Sequence, residues 1–453
     1  MNYFISARRA LRPVGALAAA MVLASCSKDI LNVATPDVLS ASVLNSSLGA
    51  TTMRNGAYQD FVVAFSGNID GYLVSTENMG DAIKTVDTFA DRYFTNERRQ
   101  NENLRGAAST MYNNMHLART GLTTSILAWG KVKPATTAAK DSLAEMYAVR
   151  GYMEDFFAEA YCSGVPFSSV AADGSFVYGL PLTTTQMLTT AAASFDTATT
   201  LSTGTNPKYL AAIGKARALL NQGQFSAAAA AVAAVPTTYK YTIFHSVATG
   251  RQQNGIYNAT FVNGSRYTVG TSEGTNGLAY LTTPADPRAP WLASTTRTGF
   301  DGTNRNLPIE QKYTGQNSPV ILADGIEARL IEAEAKLQGG AQADRDSVFA
   351  RLNVLRATGL AAAITPLAAS PTTQAAAVDM LFKERALWLW LTGHRLGDLR
   401  RLVRQYGRDA ETVFPTGAVD VRVGNNYGTD VNMIVPVTEK NNPSFTGCLD
   451  RKA

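Results

Sequence analysis

Six consecutive apolar residues, Ala386 to Leu391 (ALWLWL), follow one polar turn, Lys383-Glu384-Arg385, and stop just short of Gly393. No Pro or Gly interrupts Val378 to Thr392, so the stretch predicts a helix, and an apolar surface this wide requires burial on several sides. Gly393 supplies the stop, because a residue without Cβ enters left-handed geometry at little cost. A second helix follows, with Leu396, Leu399 and Val403 on one face and Arg395, Asp398 and Arg401 at helical spacings beside them. Carboxylates this close to buried tryptophans are costly unless paired, so Glu384 and Asp398 are expected to bond to the neighbouring arginines. The stretch therefore reads as a helix-turn-helix held by buried ion pairs, with a catalytic use of these acids as the lesser alternative.

Helix pairs recur elsewhere. Lys208 to Val235 puts small Ala216 at a close-approach position, turns at Gly223, and continues through Phe225, Ala228 and Val232 to Pro236. Ile326 to Leu355 repeats the scheme around Gly339-Gly340, and both units resemble degenerate tetratricopeptide repeats. Ala57, Phe61 and Phe65 at i, i+4, i+8 predict a helix over 53–65. Longer helices are predicted over 103–129 and 138–161, the second ending in Tyr152, Phe156, Phe157 and Tyr161, a stripe that reads as core. With 45% hydrophobic residues the chain can bury a large core. The fold class is mainly α: a tetratricopeptide-like helical repeat scaffold with long irregular insertions carrying a few short strands.

The N-terminus reads as an export signal. Arg8, Arg9 and Arg12 precede Val14 to Leu23, an apolar run too short to span a bilayer. Leu23-Ala24-Ser25-Cys26 looks like a bacterial lipobox, in which small residues admit the peptidase and the Cys26 thiol accepts lipid. Loss of those three arginines takes the formal charge from +5 to +2, which gives no sign of nucleic-acid binding. Cys162 and Cys448 would then remain as an even pair in an oxidising compartment, which favours a disulfide over two free thiols.

The C-terminal signature Glu384-Arg385, Gly393-His394-Arg395 and Asp398-Leu399-Arg400-Arg401 resembles that of the SusD/RagB-like family. It departs from the usual form in having Leu396-Gly397 where an aromatic pair is common. Asp286-Pro287-Arg288 and Ile434 to Pro443 (IVPVTEKNNP) match further recurrent elements of that family. With the lipobox and the repeats, the resemblance covers nearly the whole chain. It implies a lipid-anchored outer-membrane protein, displayed on the cell surface, that binds a nutrient such as a glycan or oligosaccharide. It also implies a partner, a SusC-like TonB-dependent outer-membrane transporter. The implied organisation is a signal peptide at 1–25, a tether at 26–46, an N-terminal helical half at 47–236, and a C-terminal half at 237–453 with a loop-rich insertion at 237–319.

The three histidines, His116, His245 and His394, have no His or Cys at metal-ligand spacing, so no metal is expected. Gly270-Thr271-Ser272-Glu273-Gly274 lacks the strand-to-helix context of a nucleophile elbow, phosphate-loop and dinucleotide patterns are absent from the sequence, and no cofactor or enzymatic activity is expected. Binding chemistry fits better, since aromatic faces stack on sugars while Asn, Asp and Arg orient them. The polar segments 67–103 and 237–319 hold both kinds of residue. Tyr72, Asn78, Asp81, Tyr93 and Trp291 are the candidate ligand residues, chosen by type and segment alone. Two other readings stay open: a periplasmic repeat scaffold that binds envelope proteins, and a surface glycoside hydrolase.

Overall fold

A computed structural model describes residues 46–103, 106–132, 136–171 and 175–453. The signal segment, Cys26 and the tether up to residue 45 lie outside these residues.

Ser46 caps helix α1 (Ser47–Val62) by accepting the Gly49 amide, and the helix widens into a π-helical turn at Val63–Gly67. Helix α2 (Tyr72–Met79), strand β1 (Ile83–Thr85) and helix α3 (Ala90–Asn96) follow. The long helices α4 (Ala107–Val132) and α5 (Thr137–Ala160) both pack on α1. A short outcrop comes next, in which β2 (Val165–Pro166) pairs with β5 (Pro181–Leu182) around the hairpin β3 (Ser169–Val170) and β4 (Phe176–Val177). Helices α6 (Thr184–Leu201), α7 (Thr205–Asn221) and α8 (Phe225–Val232) then stack in sequence on α5 and on one another.

The insertion opens with β6 (Lys240–Ile243) and contains β7 (Tyr267–Val269), β8 (Trp291–Leu292) and β9 (Ile309–Glu310). It closes with β10 (Val320–Asp324), which pairs antiparallel with β6, so the base of the insertion is a two-stranded ladder. The chain then returns to helices α9 (Gly325–Leu337), α10 (Gln342–Thr358), α11 (Gln374–Trp388) and α12 (Arg395–Arg404). About half of the residues are helical and the strands are few and short, as the periodicity of the sequence predicts.

Helix α6 has no counterpart among the helices expected from sequence. Its Met187, Leu188, Ala191, Phe195 and Ala198 face inward, and Thr183 and Gln186 form a capping box at its start. The Phe195 ring occupies the room left by Gly151 of α5 and Gly214 of α7. A Cβ at Gly214 would lie 2.2 Å from that ring and one at Gly151 2.9 Å, which is why glycines occur mid-helix there. The Cys162–Cys448 disulfide ties the chain end to the C-terminal side of α5.

The helix-turn-helix forms with two corrections. Helix α11 ends at Trp388, four residues before Thr392, because the backbone groups that would extend it have partners elsewhere. Lys312 Nζ donates to the Trp390 carbonyl, Tyr313 hydroxyl donates to the Leu391 carbonyl (2.7 Å), and Gly393 N–H donates to Glu77 (2.7 Å). Leu391 and Gly393 turn the chain with φ of +53° and +81°. Gly393 is required twice over, since a Cβ there would also lie 2.8 Å from the Tyr72 ring. The second correction concerns pairing. Asp398 is held by Arg385 (2.8 and 2.9 Å) and Arg401 (3.0 Å), as expected. Glu384 instead bonds to Arg288 of the Asp-Pro-Arg element (2.7 Å) and to Arg356 (3.0 Å), so two distant segments converge on α11.

The remaining signature residues are also structural. Arg395 makes a bidentate pair with Asp81 (2.7 and 2.8 Å), and Arg400 donates to the Ala158 carbonyl (2.8 Å). His394 precedes α12 with its Nε2 3.1 Å from Glu327, which Arg217 also holds. Gly397 stands where the family often has an aromatic residue. A Cβ there would lie 3.2 Å from Glu159 Oε1, so this chain lets a carboxylate approach instead.

Candidate functional site

Strand pairing brings the two irregular segments together. β1 and β7 run antiparallel with Lys84 opposite Thr268, and the ladder continues as Val86 N–H donates to the Arg266 carbonyl (2.9 Å). Asp301 N–H donates to the Val86 carbonyl (3.1 Å), and Asn304 donates to the Val421 carbonyl (3.0 Å). The stretches 86–99, 264–266, 299–305 and 419–427 therefore form one face.

Two aromatic rings stand out from that face, Phe89 (45% exposed) and Phe300 (47%). Each is backed by a guanidinium: Arg92 lies 4.9 Å from the Phe89 centroid and Arg266 3.8 Å from that of Phe300. Both arginines are fixed by one carboxylate. Asp87, whose side chain is fully buried, accepts from Arg92 at 2.6 Å and from Arg266 at 2.9 and 3.0 Å. Burial alone would push the Asp87 carboxyl upward. The hydrogen bonds and charges of Arg92 and Arg266 outweigh it and hold the group below the usual carboxylate range. Asp70 completes the mount by gripping Arg92 at 2.7 and 2.8 Å. The result is a pair of half-exposed rings whose supporting guanidinia are fixed by buried ion pairs.

Tyr93 borders the same face, half-buried, with the Arg422 guanidinium 3.8 Å from its centroid. Glu97 holds Arg422 (3.1 Å) and Asn425 (3.1 Å) beside it. Of the five residues singled out from sequence, only Tyr93 is placed here. Trp291 is half-buried on β8 and donates its indole N–H to the Thr282 carbonyl (3.2 Å).

Tyr72, Asn78 and Asp81 are corrections, because all three are core residues. The Tyr72 ring stacks 4.0 Å from that of Phe156, and its hydroxyl donates to Glu159 (2.7 Å). Asn78 donates to the Arg92 carbonyl (3.0 Å) and accepts from the Thr85 hydroxyl (2.9 Å). Asp81 is committed to Arg395 and to the Leu278 amide (2.9 Å). Their polar atoms are satisfied inside the protein, so a ligand has no access to them. Segment 67–103 is thus mostly a buried ion-paired layer, and only its outer edge meets solvent. Sequence reasoning passed over Asp87, Phe89, Arg266 and Phe300. The run Gly299-Phe300-Asp301-Gly302 carried a usable signal, an aromatic at a turn where no helical or strand period requires one.

His116 and His245 are both packed against neighbouring side chains. His116 lies among the rings of Tyr112, Phe157 and Phe167. His245 Nε2 is 3.1 Å from Ser66 Oγ, but Ser66 is fully buried in the π-helical turn. Among the described residues, no three His, Cys, Asp or Glu converge to hold a metal ion.

These features define a helical-repeat scaffold with a loop-built face that carries half-exposed aromatic rings. Its architecture is that of solved SusD superfamily structures. One from Parabacteroides distasonis matches with a TM-score of 0.64 at 11% identity, covering 90% of this chain and 99% of the other. One from Bacteroides fragilis matches at 0.63 and 14% identity, covering 89% and 100%. A SusD-like carbohydrate binding protein, also from Bacteroides fragilis, matches at 0.62 and 12% identity, covering 89% and 99%. The chain therefore has the SusD-like fold over nearly its full length. No protein-family model matches it, and no curated protein matches it in sequence.

Proposed function

We propose that this protein captures a glycan, or an oligosaccharide released from one, on the loop face and binds it without transforming it. The observation that carries the reading is the pair of exposed rings, Phe89 and Phe300, mounted through two arginines on buried Asp87. A sugar presents an apolar C–H face to such rings and hydroxyls to the polar groups beside them. The shared fold with structures described as SusD-like carbohydrate binding proteins supports the same reading.

In this proposal residues 1–25 direct export, Cys26 carries lipid, and the 26–46 tether leaves the two halves, 47–236 and 237–453, at the outer membrane facing the cell exterior. Among the described residues no helix is long and apolar enough to cross a membrane, so attachment falls to the lipid. A single acyl chain binds membranes only marginally, and docking on a SusC-like TonB-dependent transporter would add the rest. The bound sugar would pass from the loop face to that transporter.

A glycan array selects the ligand, and calorimetry compares the native protein with Phe300→Ala. The expected loss is about five- to tenfold in affinity, with an unchanged melting temperature because the ring is half exposed. Steady accumulation of a cleaved product from that ligand would overturn the reading. Cys26→Ser should abolish fatty-acid labelling and membrane partitioning, and continued labelling would remove the lipid anchor from the proposal.

A further inference from the structure

A second groove lies away from the Phe89–Phe300 platforms. Its walls are the outer face of α4, with Asn113 and Leu117, and the β3–β4 hairpin, with Phe176 and Tyr178. Its floor is the stretch Thr438–Asn442 near the chain end, and its volume is about 390 Å³. Phe176 is 76% exposed and Tyr178 50%, two large rings that the fold itself does not need to show to water.

The floor is firmly built. Tyr112 hydroxyl donates to Glu439 (3.0 Å), Asn442 donates to the Gly179 carbonyl (2.9 Å), and Lys440 pairs with Glu102 (2.9 Å). A few residues on, the Cys162–Cys448 disulfide fastens the tail. The groove therefore has a fixed floor under its exposed rings. By contrast, the side-chain amides of Asn113 and Asn441, on the wall and on the floor, bond to no described residue, although both line the groove. Among the described residues that line it, Glu439 is the one carboxylate.

We infer that this groove is a second saccharide subsite that takes a neutral sugar ring, stacked on Phe176 or Tyr178 and hydrogen-bonded by the amides of Asn113 and Asn441. Rings beside unspent amides suit a pyranose, which has an apolar face and neighbouring hydroxyls that both donate and accept. A carboxylate in that lining disfavours uronic acids and other anions. The position also fits an extended ligand. The Phe89 ring overlies Gly106, where a Cβ would lie 2.3 Å from it. Asn113 follows seven residues later in the chain, about 10 Å further on at helical rise. The two places thus lie about two helical turns apart along the chain. The inference rests on the glycan-binding reading above, and the test separates the two.

Linear hexasaccharides of β-1,4-glucan, α-1,4-glucan, β-1,4-mannan and β-1,4-xylan, with oligogalacturonate as the acidic member, serve as probes. Affinity for each is measured with the native protein, the Phe176→Ala/Tyr178→Ala double variant, Asn113→Ala, and Phe300→Ala. The groove account predicts that the preferred neutral probe binds the double variant about tenfold or more weakly, and Asn113→Ala a few-fold more weakly, with melting temperatures unchanged. Oligogalacturonate should bind the native protein more weakly than the preferred neutral probe. Groove variants that bind like the native protein, while Phe300→Ala is weakened, would overturn the second subsite and leave the proposed function standing. Loss of a co-purifying membrane protein with sugar affinity intact would also overturn it, in favour of a protein contact. Failure of every probe to bind would overturn the subsite and the proposed function together.

Discussion

The helix-turn-helix at 374–404 and the loop face are made from the same materials and put them to opposite ends. In the first, Arg385, Asp398, Arg401 and Glu334 form a buried ion-paired chain, with Trp388 and Trp390 buried beside it. In the second, Asp70 and Asp87 hold Arg92 and Arg266 from beneath, and the aromatic rings lie on the outside. Arginine, carboxylate and aromatic residues occur in both places. The order in which they are layered decides whether they bind the protein to itself or offer a surface to something else. Buried aromatics beside an ion-paired chain are closed to solvent, whereas half-exposed aromatics over one keep part of their ring surface open to it.

The largest effect should come from breaking the closed region. Asp398→Ala leaves the buried Arg385 and Arg401 with Glu334 as their one remaining carboxylate, and should destabilise the protein by about 3–5 kcal/mol. Urea unfolding would measure this, while sugar affinity of the folded fraction stays unchanged. A loss of affinity in a fully folded sample would erase the contrast between the two regions. Next, replacing Cys162 and Cys448 by Ser releases a closed loop spanning 286 positions and should cost about 2–4 kcal/mol, again without a change in affinity for the loop face. An unchanged urea midpoint would show that the tail is held by its other contacts.

A smaller effect depends on pH. Burial pushes the Glu273 carboxyl up from 4.5 to about 8, and only partly does the Lys84 charge offset it. The folded protein then keeps that proton longer than the unfolded chain does. Stability from this group is full below about 4.5 and is lost as pH rises through about 8. Glu327 has the opposite sign. Burial raises it, but Arg217 pulls it down to about 2, so its stabilisation is present above about 4.5 and is lost as pH falls through about 2. Glu273→Gln, which imitates the protonated acid, should flatten the decline of melting temperature on the alkaline side. An equally steep decline in that variant would assign the slope to other groups.

Much of the scaffold was legible because helix periodicity survives in a single sequence. The pairs at 205–232 and 325–358 are marked by Ala216, Gly223 and Gly339-Gly340, and the long helices by their regular apolar positions. Helix α6 was missed because Thr and Ala dominate it, and its inward face carries few large residues besides Met187, Leu188 and Phe195. The site was less legible for a different reason. Asn78 and Asp81 look like surface residues by type, yet Thr85, Arg92 and Arg395 satisfy them in the interior. Arg395 lies 314 positions from Asp81, and no local pattern announces a partner at that distance. Phe89 and Phe300 were missed because their arrangement exists only after β1 pairs with β7.

Asp87 offers the most direct test of the contrast between the two regions. Asp87→Asn removes the charge that fixes both guanidinia but leaves Phe89 and Phe300 in the chain. Asp398→Asn makes the same change in the closed region. Calorimetry with the array-selected saccharide, at a temperature where both variants are folded, should give about tenfold weaker binding for Asp87→Asn and native affinity for Asp398→Asn. Native affinity in Asp87→Asn would contradict the account, because the rings would then bind sugar without their mount.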